Sequence, residues 1–417
     1  MRLTPLLGAG LLTPVLLAPA PAHAAPADCA AIGRDDTVTS TGARSVPLDL
    51  MGAERATEIL DSRGRAPGEG VRVAIVDNGI TRQPPVVSLP VAAERFGPTA
   101  PIEDGHATAV AGLVAGGVRD QGGPVGVAPA AELVDVRVYG GTFDDGTGGV
   151  AVDDVVAGLE WVVEQGDVDV VVMALDLPRD DALGRAVAAV RAEDVVVVAS
   201  SGNRPAEGQD GFADLGELEP GEDAVDEVFP AGYTDDVFAV SATADGVPVD
   251  PGAEADAQQT VLLNSATDAA VPVWGAVTVA ANGSTCRLST VATSWAAGLG
   301  GGVAALLRSA YPDETAAQIE ARMRVTASGS QASPTTATGA GVLQPVEALT
   351  RAIEPSKRGE VDDMPRQDRP RTRVTAPPPT PDPVAGTLAD ARWWGLVGGA
   401  ALVVALLLRP LLARRRP

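Results

Sequence analysis

Short apolar runs alternate with longer segments of helical spacing along the middle of the chain. The runs "VRVAIVD" (71–77), "VDVVVMAL" (168–175) and "VVVVAS" (195–200) are rich in β-branched residues and typical of strands buried on both faces. Between such runs, "HATAVAGLVAGG" (106–117) and "DDALGRAVAAVRAED" (180–194) read as helices. Strands that alternate with helices in this way predict a parallel α/β sheet flanked by helices on both faces.

The same pattern predicts further elements on either side of these. A short helix is expected within 50–70, ending in a Gly/Pro turn, and a helix opened by an Asp cap is expected at 152–166. The other predicted elements are strands at 131–140, 235–243 and within 269–281, and helices at 291–307 and 314–327.

The two ends of the chain differ from this pattern. The N-terminus has Arg2, an apolar run and the small-residue exit Ala22-His23-Ala24, which predicts a secretory signal cleaved after Ala24. The alternative, an uncleaved anchor, fits less well because prolines interrupt the run. At the C-terminus, the apolar segment 391–412 has about the 20 residues that span a bilayer, and the arginines at 414–416 favour a cytoplasmic end. A buried amphipathic helix would need a polar face, which this segment lacks.

Composition narrows the classes of function. The chain has 417 residues, a net charge of -24, 45% hydrophobic residues and only 3% aromatic residues. We therefore expect no binding to nucleic acid, because contacts to phosphates need a basic face and binding of single strands needs aromatic side chains for stacking. The two cysteines, Cys29 and Cys286, both fall in the exported part, where a disulfide is the default and two free thiols are the alternative.

Four polar residues are placed where chemistry is expected. His106 is the only histidine that remains after the predicted signal is removed, and it opens a predicted helix after an Asp-Gly turn. Asp77 and Asn203 follow predicted strands, at the carboxyl edge where parallel sheets carry their sites. Ser294 begins the helix at 291–307. Each also has a purely structural interpretation: a lone core histidine, a turn or cap aspartate, a turn asparagine and an N-cap serine.

Together these residue types can perform nucleophilic acyl transfer. An aspartate accepts the imidazole N–H and fixes its tautomer, and the imidazole takes the proton of a serine nucleophile. An asparagine amide or a helix N-terminus can stabilise the oxyanion, each such donor contributing about 3 kcal/mol to the transition state.

Five strings carry a resemblance to a known family. The segments "VAIVDNGI", "DGHATAVAG", "VVVVASSGN" and "TSWAAGLGGGVAALL" resemble the four signature segments of the subtilisin-like (S8) serine peptidases, in the family's order. "VFPAGYTDDVFAVSAT" resembles the segment that follows the oxyanion asparagine. The chain also has the predicted signal, a proline-rich segment at 354–390 and the C-terminal apolar helix. With these features it most resembles the mycosins, the membrane-anchored subtilases of type VII secretion. The resemblance implies the triad Asp77, His106 and Ser294, the oxyanion donor Asn203, and a substrate-lining strand at Ala174, Leu175 and Asp176.

The resemblance also implies a domain organisation. The expected parts are a signal peptide (1–24), an N-terminal extension (25–65), a peptidase domain (66–353), a Pro-rich linker (354–390), a transmembrane helix (391–412) and a cytoplasmic basic tail (413–417). The catalytic domain is expected outside the cytoplasm, on a single-pass protein of the cell membrane.

Several positions depart from the family's motifs. Ala107 and Ala292 stand where the family has glycine beside the histidine and before Thr-Ser, and Gly298 stands where proline is usual. Ala174 and Asp176 replace the serine and glycine of Asn-x-Ser-Leu-Gly. An added methyl is expected to strain these turns by about 1 to 3 kcal/mol and to lower activity. Asp176 is expected to repel acidic substrates or accept a basic side chain.

Two functions from different classes follow. The first is a serine endopeptidase acting on a protein or peptide substrate, in association with the type VII secretion membrane complex. The second is a catalytically impaired pseudopeptidase that serves as a structural component of that machinery. A hydrolase with an elbow serine is excluded, because Ser294 is not within a Gly-x-Ser-x-Gly turn. No metal-ligand cluster is visible in the sequence, and no cofactor is expected.

Overall fold

The structure is a computed structural model that describes residues 27–140, 149–204, 218, 221–246, 261–361 and 385–413. The predicted signal peptide (1–24) and most of the predicted linker (354–390) and basic tail (413–417) lie outside the described residues. The chain divides into two units, Met1–Asp362 and Asp363–Pro417.

The strands of the first unit are β1 (Arg72–Asp77), β2 (Val91–Phe96), β3 (Val118–Arg119), β4 (Gly123–Pro124), β5 (Glu132–Arg137), β6 (Val170–Met173), β7 (Val196–Ser200), β8 (Phe238–Thr243), β9 (Thr267–Pro272), β10 (Val277–Val279) and β11 (Thr285–Arg287). Seven of them form one parallel sheet in the order β2-β5-β1-β6-β7-β8-β9. The pairs β3–β4 and β10–β11 are antiparallel.

The helices are α1 (Val46–Leu50), α2 (Ala53–Ser62), α3 (His106–Ala115), α4 (Val152–Gln165), α5 (Asp181–Ala192), α6 (Thr293–Ala310), α7 (Ala316–Thr326) and α8 (Pro345–Thr350), with α9 (Ala385–Ala413) in the second unit. A short 3-10 helix covers Cys29–Ala31.

The sheet is buried on both faces, as its sequence pattern predicts. Successive side chains of a strand point to opposite faces. In β1, Val73 and Ile75 join the apolar cluster that contains α3 and α6, whereas Ala74 and Val76 join the cluster that contains α4 and α5. The predicted three-layer α/β architecture is therefore confirmed.

Helix α6 packs closely on the sheet because its first half is rich in glycine. A Cβ added at Gly300 would lie 2.9 Å from Val240 Cγ2 on β8, and one at Gly302 would lie 2.8 Å from Val127 Cβ. Atoms do not approach so closely without a shift of the backbone. The glycines thus fix how near the start of α6, with Ser294 in its first turn, lies to the carboxyl edge of the sheet.

Some predicted elements need correction. The Asp cap expected for α4 is wrong: Ala151 is the N-cap, without a side-chain cap, and Asp153 and Asp154 lie in the first turn. In the first turn, their negative charges still interact favourably with the positive end of the helix dipole. The apolar stretch 269–281 forms two strands, β9 and β10, because the chain turns at Gly275 with a positive φ of 75°.

The sequence pattern missed α1, β2, β3, β4, β11 and α8. The edge strand β2 has only one buried residue, Ala92, so it lacks the continuous apolar run of the central strands. β3 and β4 have two residues each, too few for a pattern to show.

A disulfide joins the N-terminal segment to β11. Cys29 and Cys286 are bonded with their Cα atoms 4.9 Å apart, which confirms the predicted bridge and overturns the alternative of free thiols. Backbone hydrogen bonds from Arg287 N to Ala27 O (2.9 Å) and from Thr285 N to Thr39 O (3.0 Å) hold the same segment against β11.

Removing this bridge is expected to cost stability. The bond closes a loop between residues 257 positions apart. The double variant Cys29→Ser/Cys286→Ser should lower the free energy of unfolding by about 4 to 5 kcal/mol, because the unfolded chain regains the entropy of that loop. Chaotrope unfolding followed by tryptophan fluorescence measures this. Ser289→Ala beside the bridge is the control, and equal unfolding midpoints for the double variant and the unaltered chain would contradict the prediction.

In the second unit, α9 contains a stretch, Ala391–Arg409, that is long and apolar enough to cross a membrane by length and composition. It is the one helix of this kind among the described residues. The predicted span at 391–412 coincides with it.

Candidate active site

Asp77 and His106 form the centre of the site. Asp77 ends β1 and His106 begins α3, so the sheet edge and the helix start bring the two side chains together. The distances from His106 Nδ1 to Asp77 Oδ2 and Oδ1 are 2.8 and 3.0 Å. The Asp77 side chain has no exposure to solvent and that of His106 is 17% exposed. A buried carboxylate thus holds the Nδ1 edge of an imidazole that is partly exposed to solvent.

Further hydrogen bonds fix the Asp77 carboxylate. Its Oδ1 accepts from the backbone N–H of Asn78 (2.7 Å) and from the hydroxyl of Tyr139 (3.1 Å). The Asn78 side chain in turn accepts from Ala107 N (3.0 Å), which joins the end of β1 to the first turn of α3. A carboxylate surrounded by donors remains an acceptor for the imidazole, so Nδ1 carries the proton and Nε2 is free to act as a base.

The charge of His106 depends on its neighbours. Burial of the ring lowers its pKa, but the carboxylates of Asp77, Asp104 and Asp176 more than compensate, and the pKa of His106 is raised above its ordinary value. The protonated form of this imidazole is therefore stabilised by the site.

Ser294 lies in the first turn of α6, one residue inside its start. The N-cap of α6 is Ala292, so the alternative that Ser294 is an N-cap serine is wrong. Its Oγ donates to the carbonyl oxygen of Ala174 at 3.4 Å. The next residue, Trp295, packs its ring on that of His106, with centroids 5.1 Å apart. Contact through Trp295 places the start of α6 beside the imidazole.

The strain expected at Ala292 is absent. Ala292 has φ -136° and ψ 146°, an extended conformation open to any residue. Ala107 lies inside α3 and is fully buried. Among the described residues, the non-glycine residues with positive φ are Gln83 and Asp194. The two departures from glycine therefore do not strain the backbone beside His106 or Ser294.

Hydrogen bonds to neighbouring segments fix the position of Asn203. It follows β7, and its Oδ1 accepts the backbone N–H of Thr293 at 2.9 Å. An N–H can only be met by the amide oxygen, so the side-chain NH₂ keeps its donors, and one hydrogen bond from this side chain reaches Asp176. The hydrogen bond from Thr293 N joins Asn203 to the start of α6, next to Ser294.

Asp176 contacts this asparagine and Ser200. Its Oδ2 accepts from Asn203 N (3.0 Å) and its Oδ1 from Ser200 Oγ (2.7 Å). Burial raises the pKa of Asp176, and the hydrogen bonds from Ser200 and Asn203 oppose that rise. The direct substrate contact predicted for Asp176, with Ala174 and Leu175, remains a prediction. What the geometry adds is that Asp176 positions the segment that carries Asn203.

Replacing Asp176 by asparagine is expected to change the pH dependence of catalysis. A base must be unprotonated, so activity rises with pH through the pKa of His106. Because the Asp176 charge raises that pKa, Asp176→Asn should move the acidic limb of the kcat/KM profile to lower pH. The surface variant Asp49→Asn is the control. An acidic limb that stays in place in Asp176→Asn would contradict the coupling.

Three residues of the site were missed by sequence reasoning. Asn78 directly follows Asp77 and could have been noticed from that spacing. The hydroxyl of Tyr139, which follows β5, donates to Asp77. The ring of Trp295, on α6, packs on that of His106. Only the fold brings them to the site, and no local pattern marks them.

Comparisons with known proteins agree with this geometry. The family model described as "Subtilase family" matches residues 68–344. Mycosin-3 of Mycobacterium tuberculosis (strain ATCC 25618 / H37Rv) is 30% identical over 84% of this chain and 80% of its own length. An alkaline protease of Shouchella clausii is 34% identical over 40% of this chain, and the match covers 42% of that protease.

Solved structures show the same fold. The MycP3 protease from the type VII (ESX-3) secretion system superposes with a TM-score of 0.56 at 26% identity, over 81% of this chain and 100% of that one. A chain from an intact ESX-5 inner membrane complex has a TM-score of 0.57 at 21% identity, over 95% and 100%. The chain therefore belongs to the subtilase family, and it is a homologue of the mycosins.

Proposed function

We propose that this protein is a membrane-anchored serine endopeptidase whose triad is Asp77, His106 and Ser294. The observation that carries the proposal is that His106 Nδ1 donates to the Asp77 carboxylate, with Ser294 on the neighbouring helix start. Such an Asp–His pair leaves Nε2 free to act as a base toward a serine hydroxyl, which acyl transfer needs.

In the proposed mechanism, His106 Nε2 takes the proton of Ser294 as Oγ attacks the carbonyl carbon of a peptide bond. The oxyanion that forms is stabilised by the Asn203 side-chain NH₂ and by the backbone N–H groups in the first turn of α6. His106 then gives its proton to the leaving amine, and water hydrolyses the acyl-enzyme by the same route.

We also infer the protein's place in the cell. Residues 391–412 would span the membrane, with residues 25–390 outside the cytoplasm and 413–417 inside. Support comes from the apolar stretch Ala391–Arg409 and from the similarity to a chain of an ESX-5 inner membrane complex. The protein would act on a protein or peptide substrate and associate with a type VII secretion membrane complex.

The full-length protein in detergent tests the activity. Incubated with a mixture of peptides and analysed by mass spectrometry, it should produce defined internal cleavages that Ser294→Ala does not produce. Cleavage products of equal yield from Ser294→Ala would contradict the assignment of the nucleophile.

The alternative, a catalytically impaired structural component, makes a different prediction in cells. If proteolysis is the function, Ser294→Ala should fail to restore secretion in a deletion strain although the variant reaches the membrane. Full restoration by Ser294→Ala would favour the structural role. The extended backbone at Ala292 removes one argument for impairment.

A further inference from the structure

A basic cavity lies on the first unit, outside the proposed catalytic residues. It has a volume of about 300 Å³ and is bordered by the loop after β1, by β2 and by the loop that precedes α3. Four arginines line it: Arg34, Arg82, Arg95 and Arg137. This concentration is unusual in a chain of net charge -24, because most of the surface repels anions.

The charges of these arginines are only partly compensated. Arg137 donates to the carbonyls of Tyr139, Ala100 and Pro101, and Arg82 donates to that of Ala92 (2.6 Å). Carbonyl oxygens satisfy donors but do not cancel a positive charge. The cavity's walls therefore keep a positive potential although several of the donors are occupied.

Few carboxylates oppose that potential. Asp135 lines the cavity, and one of its oxygens accepts the backbone N–H of Ile80 at 3.2 Å. Arg34 is paired with Glu103 at 2.7 Å. The charge of Arg34 is therefore compensated by Glu103. Among the residues that line the cavity, Asp135 is the one carboxylate that faces Arg82, Arg95 and Arg137.

Two observations indicate that the cavity has guanidinium donors available to an anionic ligand. Among the residues that the structure describes, the guanidinium of Arg95 has no hydrogen-bond or ion-pair partner, although Arg95 lines the cavity and is half-buried. Arg82 Nη2 is buried and lacks a hydrogen-bond partner within the same described part of the chain. Buried guanidinium donors are normally paired, and planar carboxylates are the group that their geometry fits.

The basic cavity adjoins the proposed active site. A second cavity, of about 510 Å³, is lined by His106 and Trp295 and shares Arg34 and Ala281 with the basic cavity. The residues that line this second cavity do not include Asn203 or the strand residues at 174–176. Because the catalytic histidine of such a triad protonates the leaving amine, the second cavity corresponds to the leaving-group side of the scissile bond.

We propose that the basic cavity is a subsite for an acidic side chain of the substrate on the leaving-group side. The carboxylate would contact Arg95 and Arg82, with Arg137 contributing charge from the wall. The proposal rests on the peptidase function proposed above, and it extends that function to a preference among substrates.

Matched peptides test the proposal. Internally quenched peptides would share one sequence and carry glutamate, or in a second series glutamine, at each position after the scissile bond in turn. At one position, glutamate should raise kcat/KM by about tenfold or more over glutamine, the size expected for a hydrogen bond to a charged group. Arg95→Gln and Arg82→Gln should each remove most of that preference, while cleavage of the glutamine peptides stays unchanged.

Controls separate the possible failures. Arg55→Gln on α2, whose arginine pairs with Glu58 on the surface, should leave the preference intact. Labelling of Ser294 by a fluorophosphonate should be the same in Arg95→Gln and the unaltered chain, which shows that the triad is independent of the cavity. Loss of labelling in the unaltered chain would instead refute the peptidase function.

Inorganic phosphate distinguishes a substrate subsite from a site for a free anion. Phosphate should inhibit cleavage of the preferred glutamate peptide competitively and leave its glutamine partner unaffected. Equal kcat/KM for glutamate and glutamine at every position would overturn the proposal. So would phosphate stabilising the protein against heat in an Arg95-dependent manner without any such preference, because the anion bound there would not belong to the substrate.

Discussion

Replacing Asp77 by asparagine is expected to lower kcat for peptide hydrolysis about 10⁴-fold with little change in KM. In the structure, Asp77 Oδ1 accepts from Asn78 N and Tyr139 Oη, and Oδ2 is the atom nearer to His106 Nδ1. An asparagine would keep its oxygen toward the two fixed donors and turn its NH₂ toward His106. The imidazole would then carry its proton on Nε2, where it can no longer accept the proton of Ser294.

Steady-state kinetics with a fluorogenic peptide measures this loss. Asp104→Asn is the matched control, because Asp104 also lies near His106 but accepts the backbone N–H of that residue at 2.8 Å. Its effect on kcat should be far smaller. If Asp77→Asn and Asp104→Asn reduced kcat equally, the carboxylate of Asp77 would not be the group that orients the imidazole.

Replacing Asn203 by alanine is expected to lower kcat about 10²- to 10³-fold. The hydrogen bond from Thr293 N to Asn203 Oδ1 fixes the side-chain amide beside the first turn of α6, where the proposed oxyanion would form. Alanine removes that donor from the transition state and leaves ground-state contacts in place, so KM should change little.

The control for this variant is Asn282→Ala, an asparagine that donates to the carbonyl of Asp36 near the surface. It should retain full activity. Because Asn203 also holds Thr293, the unfolding midpoint of Asn203→Ala must be measured as well. A loss of kcat that disappears at a temperature where both proteins are fully folded would show a stability effect rather than a catalytic one.

The sequence predicted the parts of the site that local patterns encode. Asp77 and Asn203 follow continuous apolar runs, and such runs end at the carboxyl edge of a parallel sheet whatever lies around them. His106 stood out by elimination, as the one histidine outside the predicted signal. The central strands and major helices followed from the same periodicity.

What the sequence could not predict depends on contacts between distant elements. The family resemblance predicts a substrate contact for Asp176, and it gives no sign that the oxygens of Asp176 also accept from Ser200 and Asn203. Strain at Ala292 was inferred from its identity, whereas strain depends on φ, which the fold sets to an extended value. The basic cavity likewise gathers arginines from segments as far apart as Arg34 and Arg137.

The central claim, that Ser294 is a nucleophile activated by His106, is tested most directly by covalent labelling. The folded, disulfide-bonded protein is treated with a fluorophosphonate and digested, and the modified residue is located by mass spectrometry. We expect a single phosphonate on Ser294, no labelling of Ser294→Ala, and strongly slowed labelling of His106→Ala. A folded protein that takes up no label, or equal labelling of Ser294→Ala, would contradict the account.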